Sequence, residues 1–165
     1  MENSAVLLND QILQKTKRIA FQIHENTFDE AIVFVGGISG TGYILAERIV
    51  EHLSSLSNQK ICLFEIKVNK KDPLSERIAL SIEDDLLKDS PVIVVDDVIN
   101  SGRTMIYAVN RILENPIKIL KIATLVNRTH RRFPVKADFV GLNIATTLQD
   151  NILVELGDKN GAYLK

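Results

Sequence analysis

Asp96 and Asp97 stand side by side at the end of an apolar run in the segment "VIVVDDVINSGRTMIYAV", residues 92–109. Carboxylates at such a place cost free energy unless something nearby uses them. The residues that follow suggest what that is. Asn100, Ser101 and Gly102 are small, and Gly102 tolerates backbone angles that other residues avoid. Their amides can curl into a cup at the start of a helix beginning near Arg103 or Thr104, and the Ser101 and Thr104 hydroxyls add donors. A carboxylate pair beside an anion cup suits a phosphorylated polyol such as a ribose 5-phosphate. The acids accept from its hydroxyls while the cup holds its phosphate. Taken without the loop, the two acids read equally as a helix cap or a metal site.

A second candidate is the glycine cluster "VGGISGTG", residues 35–42. As a dinucleotide fingerprint it fails, because after Gly40 and Gly42 the third glycine position holds Leu45. It also lacks the lysine of a nucleoside-triphosphate loop. An amide-lined anion loop and a plain tight turn both remain open for it.

The elements that must position these residues follow from apolar spacing. Ile12, Thr16, Ile19, Ala20 and Ile23 recur at helical intervals behind a cap at Asn9 or Asp10. "AIVFV", residues 31–35, predicts a buried strand; Ile44, Leu45, Ile49, Leu53 and Leu56 predict a helix. "KICLFEI", "PVIVV" and "KILKIATLV" predict further strands. Met105, Ile106, Val109, Ile112 and Leu113 form one helical face that Asn115 and Pro116 stop. Fully apolar strands alternating with amphipathic helices imply a doubly wound α/β fold, its parallel sheet covered on both faces. Ligands of such sheets sit at the carboxyl ends of the strands, where both candidate loops fall. No repeat, low-complexity tract or linker interrupts the pattern, so residues 1–165 read as a single domain.

Composition bounds the remaining classes. The chain has 165 residues, 45% hydrophobic and 25% charged, which suits a soluble globular domain with a sizeable core. A net charge of −1 excludes a global field drawing it to nucleic acid or membrane. One cysteine, Cys62, excludes an internal disulfide, and its apolar neighbours suggest a packed thiol. Residues 1–14 lack the basic start and sustained apolar stretch of a signal peptide, and no segment is long enough to span a bilayer. The expectation is a cytoplasmic protein without a membrane partner. His24 and His52 lie in amphipathic helices without metal-ligand spacing, so no zinc constellation and no protein-held metal is expected.

"VIVVDDVINSGRT" resembles the diphosphoribosyl-binding signature of the type I phosphoribosyltransferases: hydrophobic strand, acid pair, two spacers, then Ser-Gly-x-Thr. "AVLLNDQ" and "TLVNRTHRRFPVKADFVGLNIATT", residues 124–147, resemble the branch of bifunctional pyrimidine-operon attenuators and uracil phosphoribosyltransferases. The resemblance implies that fold, with a small hood over the strand ends. It also implies transfer from phosphoribosyl diphosphate to a base, with uracil favoured, and release of pyrophosphate. Asp96 and Asp97 would meet the ribose hydroxyls as the catalytic acids. Asn100, Ser101, Gly102, Arg103 and Thr104 would surround the 5-phosphate. Gly37, Ile38, Ser39, Gly40 and Thr41 would hold the leaving pyrophosphate, and Phe139 and Val140 would lie near the base. Mg²⁺ would enter mainly through the diphosphate substrate, and the assembly would be a homo-oligomer, a dimer or larger.

The chain also departs from that pattern. Ser39, Gly40 and Thr41 stand where the attenuators carry basic residues, removing a charge-assisted contact. The stretch between Glu65 and Pro91, where a mobile flap belongs, is short; by charge pattern its Lys67, Lys70, Lys71 and Arg77 read equally as replacements for the lost charge and as an ordinary solvated loop. Asn100 replaces the aspartate that purine-salvage relatives use on the base proton, and an amide is no general base. "NRTHRR", residues 127–132, is the one basic patch that could meet RNA. It is short and lacks interleaved aromatics, so a solvated surface run is the favoured reading. A non-catalytic regulator that senses nucleotides and binds RNA is the rival to the enzyme.

Overall fold

The computed structural model describes residues 4–147 and 150–165. In chain order these form β1 (Ser4–Leu7), α1 (Asn9–Thr27), β2 (Ile32–Ile38), α2 (Thr41–Leu56), β3 (Lys60–Lys67) and β4 (Ala79–Leu80). A 3-10 turn (Asp84–Leu87) then leads to β5 (Pro91–Ile99), α3 (Arg103–Ile112), β6 (Ile119–Arg128), β7 (Phe139–Ile144), β8 (Ile152–Glu155) and β9 (Gly161–Leu164).

The central sheet has six strands in the order β4-β3-β2-β5-β6-β7. All neighbours are parallel except β4, which runs antiparallel to β3 at one edge. Successive side chains point to opposite faces, and both faces are buried. Val33, Val35, Ile93 and Val95 pack with Ile12, Ile19 and Ile23 of α1 and Leu45, Ile49 and Leu53 of α2. Phe34, Val92 and Val94 face the other way, onto Met105, Ala108 and Ile112 of α3. Each fully buried isoleucine or valine stabilises this arrangement by about 1.5–3 kcal/mol relative to exposure. The α/β sheet covered on both faces is therefore the observed architecture.

Three boundaries differ from those read off the spacing. α1 is capped by Leu8, extended at φ −99° and ψ 166°, whose N–H donates to Gln11 Oε1 at 2.9 Å. Asn9, an expected cap, is the first helical residue. Gly36 and Gly37 belong to β2, because side chains there would strike packed neighbours: a Cβ on Gly36 would lie 2.5 Å from the Phe64 ring. β5 runs on past the acids to Ile99, since Asp96, Val98 and Ile99 pair with Thr124, Val126 and Asn127 of β6.

A second sheet, β1-β9-β8, is antiparallel and joins the first strand to the last two. Its Leu7, Ile152, Val154 and Ala162 enter the same hydrophobic cluster as α1 and α2, seating this hood against the core. At the far edge of the central sheet, Lys15 and Arg18 of α1 donate to β7. Lys15 Nζ reaches the Gly141 carbonyl at 3.1 Å, and Arg18 Nη2 reaches those of Val140 and Gly141 at 2.9 and 2.8 Å. Among the described residues no helix is long and apolar enough to cross a membrane.

Candidate functional site

The chain leaves β2 towards β3 on one side and returns through β5 on the other, so strand order reverses between β2 and β5. Crevices at such reversals, outside the carboxyl ends of the strands, are where open α/β sheets bind ligands. Asp96 and Asp97 lie near the carboxyl end of β5, in a cavity of about 320 Å³ that also takes in Thr41, Lys70, residues 98–105 and the hood residues Ile152, Leu153 and Val154. Burial, then the neighbouring Asp97 charge, push Asp96 well above the usual carboxylate range, against the opposing pull of Lys70. Asp96 Oδ1 accepts from the Asp97 N–H at 3.0 Å and from Lys70 Nζ at 3.3 Å. Asp97 Oδ1 is buried and has no hydrogen-bond partner; Lys70 Nζ stands 3.9 Å away. A buried carboxylate oxygen left unpaired is expensive, and here it borders an open cavity.

The residues after the acids turn as expected. Gly102 adopts φ 82° as the N-cap of α3, a left-handed conformation suited to glycine. Ser101 Oγ accepts from the Arg103 N–H at 3.2 Å, and the first-turn amides of α3 have no intrahelical partners. Ser101, Gly102, Arg103 and Thr104 all line the cavity, forming a cup for an anion. Asn100 lines it too, but its side chain is spent elsewhere. Asn100 Nδ2 donates to the Ile152 carbonyl at 3.3 Å and Oδ1 accepts the Ile152 N–H at 3.2 Å.

The glycine cluster is more divided. Ile38 is fully buried in the core, and Gly37 packs against Tyr43 and Ala46, so any contact these two make with a ligand is through the backbone, as expected of an amide-lined loop. Ser39 Oγ donates to the Ile66 carbonyl at 3.0 Å and accepts from the Val68 N–H at 3.2 Å, tying the turn to the end of β3. Gly40, at φ 87°, caps α2, and Thr41 reaches the cavity. Gly42, in the spacing only part of a failed fingerprint, lies against the acids: a Cβ there would be 2.5 Å from Asp96 Oδ1.

A sequence profile of the phosphoribosyl transferase domain matches residues 2–157. The chain belongs to the phosphoribosyltransferase family. Among its relatives, the bifunctional protein PyrR of Macrococcus caseolyticus is 32% identical over 171 residues, covering 97% of this chain and 98% of the relative. That of Clostridium botulinum is 35% identical over 174 residues, covering 98% and 94%. Among solved structures, a hypoxanthine-guanine phosphoribosyltransferase from Bacillus anthracis superposes with TM-score 0.70 at 24% identity, over 87% of this chain and 84% of that one. A hypoxanthine phosphoribosyltransferase from Staphylococcus aureus gives TM-score 0.71 at 17% identity, over 86% and 77%. At those identities the structural likeness carries the fold alone.

Other expected residues of this phosphoribosyltransferase lie apart from the acids. Phe139 is 4% exposed and sits in the cluster packed on α1 and α2, so its ring is core. Val140 borders a different basin of about 830 Å³ beside β7, with Gln22, Asn127 and residues 131–138. The basic patch is not a uniformly solvated run. Arg128 is buried, donating to Thr146 Oγ1 at 2.6 Å and to the Thr147 carbonyl at 2.8 Å. Arg131 donates to Asn127 Oδ1 and to the Arg128 carbonyl. Of the flap cations, Lys70 reaches the acids, whereas Arg77 pairs with Glu114 at 2.6 Å. Beyond it the flap is held to α3 by Arg111, which forks onto Asp84 at 2.8 Å through both terminal nitrogens and donates to the Ile78 carbonyl at 2.9 Å. Cys62 is half-buried against the α3 side of the sheet.

No group of three or more His, Cys, Asp or Glu gathers as a metal cage among the described residues. Asp96 and Asp97 do offer hard oxygen atoms of the kind Mg²⁺ takes, one of them unpaired. That donor set fits an ion brought in with a ligand rather than one held by protein alone.

Proposed function

We propose that this phosphoribosyltransferase joins phosphoribosyl diphosphate to a nitrogenous base, uracil, and releases pyrophosphate. The single observation that carries the reading is the unpaired, buried Oδ1 of Asp97, a residue that lines the same cavity as the amide cup of residues 101–104. In the reaction the bond from the ribose C1 to the diphosphate oxygen breaks, a bond from C1 to a ring nitrogen forms, and that nitrogen loses its proton. Positive charge grows on the sugar, and fixed carboxylates at Asp96 and Asp97 suit it. The 5-phosphate sits in the cup and the ribose hydroxyls donate to the acids. Asp96 and Asp97 would hold Mg²⁺ brought in with the diphosphate, and the ion would supply charge neutralisation at the leaving group.

Lys70 replaces the cation missing from the loop at Ser39, Gly40 and Thr41. Its ammonium, half-exposed beside Asp96, is displaced when sugar hydroxyls take the carboxylates, and it then meets the diphosphate. Thr41 at the mouth of α2 supplies a further donor. The likeness of residues 124–147 to the pyrimidine attenuators supports uracil, as does Asn100, whose amide is engaged with Ile152 and offers no base for a purine proton. Phe139 as the base platform draws no support from its burial in the core, and the hood residues 152–154 are nearer the acids. The same likeness extends the proposal to a cytoplasmic homo-oligomer, a dimer or larger, which sedimentation would test.

The test is purified protein with phosphoribosyl diphosphate, Mg²⁺ and a panel of bases. Uracil turnover requiring both, with hypoxanthine and guanine much poorer, is the expected result. Faster turnover of a purine would overturn the base assignment. Binding of nucleotide without turnover of any base would favour the second reading, a nucleotide-sensing regulator that binds RNA. That reading draws on the absence of a cation from Ser39, Gly40 and Thr41. With Arg128 and Arg131 engaged internally, we expect only weak binding to a pyrimidine-operon leader at physiological salt. Tight binding that falls steeply with added salt would refute this expectation.

A further inference from the structure

The sugar-phosphate loop is tied to the hood through one side chain. Asn100 pairs with Ile152 of β8 as a neighbouring strand would, one amide hydrogen to the carbonyl at 3.3 Å and the amide oxygen to the N–H at 3.2 Å. The next residue fastens the loop on its other side: the Ser101 carbonyl accepts from the N–H groups of Arg132 and Phe133 at 3.1 and 3.0 Å. The loop that would grip the 5-phosphate is thus bonded to a hood strand that lines the same cavity. Residue type matters at this joint. An asparagine carries both a donor and an acceptor, whereas an ionised aspartate has acceptors only and would repel the Ile152 carbonyl.

We propose that Asn100 is a positioning residue: it latches β8 to the phosphate loop, so that an occupant of the loop stiffens the hood wall against which the base is received. The inference rests on the proposed phosphoribosyl site, but the latch itself is separable from it. The ligand-free contact exists between protein groups alone. Occupancy of the loop fixes the backbone at Asn100, and the two bonds to Ile152 pass that order to β8 without any contact between phosphate and hood.

Backbone hydrogen exchange of the full chain tests it, in the parent protein and in Asn100→Asp and Asn100→Ala, with and without ribose 5-phosphate. Without ligand, the Ile152 amide should exchange about tenfold faster in Asn100→Ala, as expected for loss of one hydrogen bond, whereas Asn100→Asp keeps an acceptor for that amide and loses only the bond to the Ile152 carbonyl. Amides of β2 should be unchanged, showing that the variants are folded. With ribose 5-phosphate, amides at 152–154 should slow in the parent and not in the variants, even at saturating ligand. A purely structural contact would not produce that ligand-dependent difference. In turnover, the KM for the base should rise more than the KM for phosphoribosyl diphosphate. Unaltered Ile152 exchange in folded Asn100→Ala would overturn the latch. A parent that binds ribose 5-phosphate with no change in the hood would overturn the coupling alone. A parent that does not bind it would overturn the reading of the site, and the coupling with it, while the ligand-free Ile152 result still reports on the latch.

Discussion

Replacing Asp96 with asparagine should flatten part of the dependence of stability on pH. Asp96 is 3% exposed, and burial together with the Asp97 charge raises its folded pKa well above the unfolded value of 3.8. Between those two values the folded state binds more protons than the unfolded state, so stability falls as pH rises. The penalty is absent below 3.8 and complete above the folded pKa. One proton sets the ceiling on the slope at about 1.4 kcal/mol per pH unit. For a chain of this length each kcal/mol moves the thermal midpoint by about 2–4 °C. Asp84 acts in the opposite sense, because the hydrogen bonds from Arg111 hold it below 3.8; its contribution is present above that value and fades as pH falls through the folded pKa. It is common to both proteins and cancels in the difference. Thermal midpoints of the parent and Asp96→Asn, measured from pH 4 to 8, should therefore diverge as pH rises, with the variant equal or more stable at the alkaline end. Ribose 5-phosphate affinity of the variant should fall by about 10–100-fold, the worth of a hydrogen bond to a charged group. Parallel pH profiles would refute the account of a buried, proton-hungry carboxylate.

Lys70→Met separates two roles of one ammonium: ribose 5-phosphate should bind as well or better, its competitor for the acids being gone, while phosphoribosyl diphosphate binds about tenfold more weakly. Equal changes in both affinities, by calorimetry, would refute that division. Gly42→Ala places a Cβ 2.5 Å from Asp96 Oδ1, so the carboxylate must move; turnover should drop about 10–100-fold while the circular dichroism spectrum stays that of the parent. Ser101→Ala and Thr104→Ala should each weaken ribose 5-phosphate binding by about 1.5–3 kcal/mol with little effect on the thermal midpoint. Unchanged binding in both would place the phosphate elsewhere.

How far the fold is legible in the amino-acid order depends on the range of the interactions involved. The buried faces of α1, α2 and α3 and the apolar strands of the central sheet follow from local periodicity, as do the acid pair and the turn at Gly102. Gly36 and Gly37 are ambiguous in the sequence, because glycine marks both turns and close approach, and only the position of Phe64 and Tyr43 decides between them. The hood strands are four residues each, too short for a periodic signal, and β1 joins the β8–β9 pair from the other end of the chain. Four flap cations looked equivalent by charge; the path of the chain after β3 selects Lys70. Asn100 is separated by 52 residues from the backbone it holds, so its role required the tertiary structure. Phe139 reads equally as a wall for the base or as core, and only its packing beneath α1 shows the core environment.

The cations that α1 lays on β7 bear on how copies of this chain can meet. An outermost strand is ordinarily a template on which another chain can continue the hydrogen-bond ladder, the first step towards a shared sheet or a fibril. Here Lys15 and Arg18 already occupy carbonyls of Val140 and Gly141, and put charge where an incoming strand would lie. The opposite flank ends in β4, which offers two residues. The central sheet is therefore blunted on both flanks by its own chain, which disfavours self-association by adding a seventh strand.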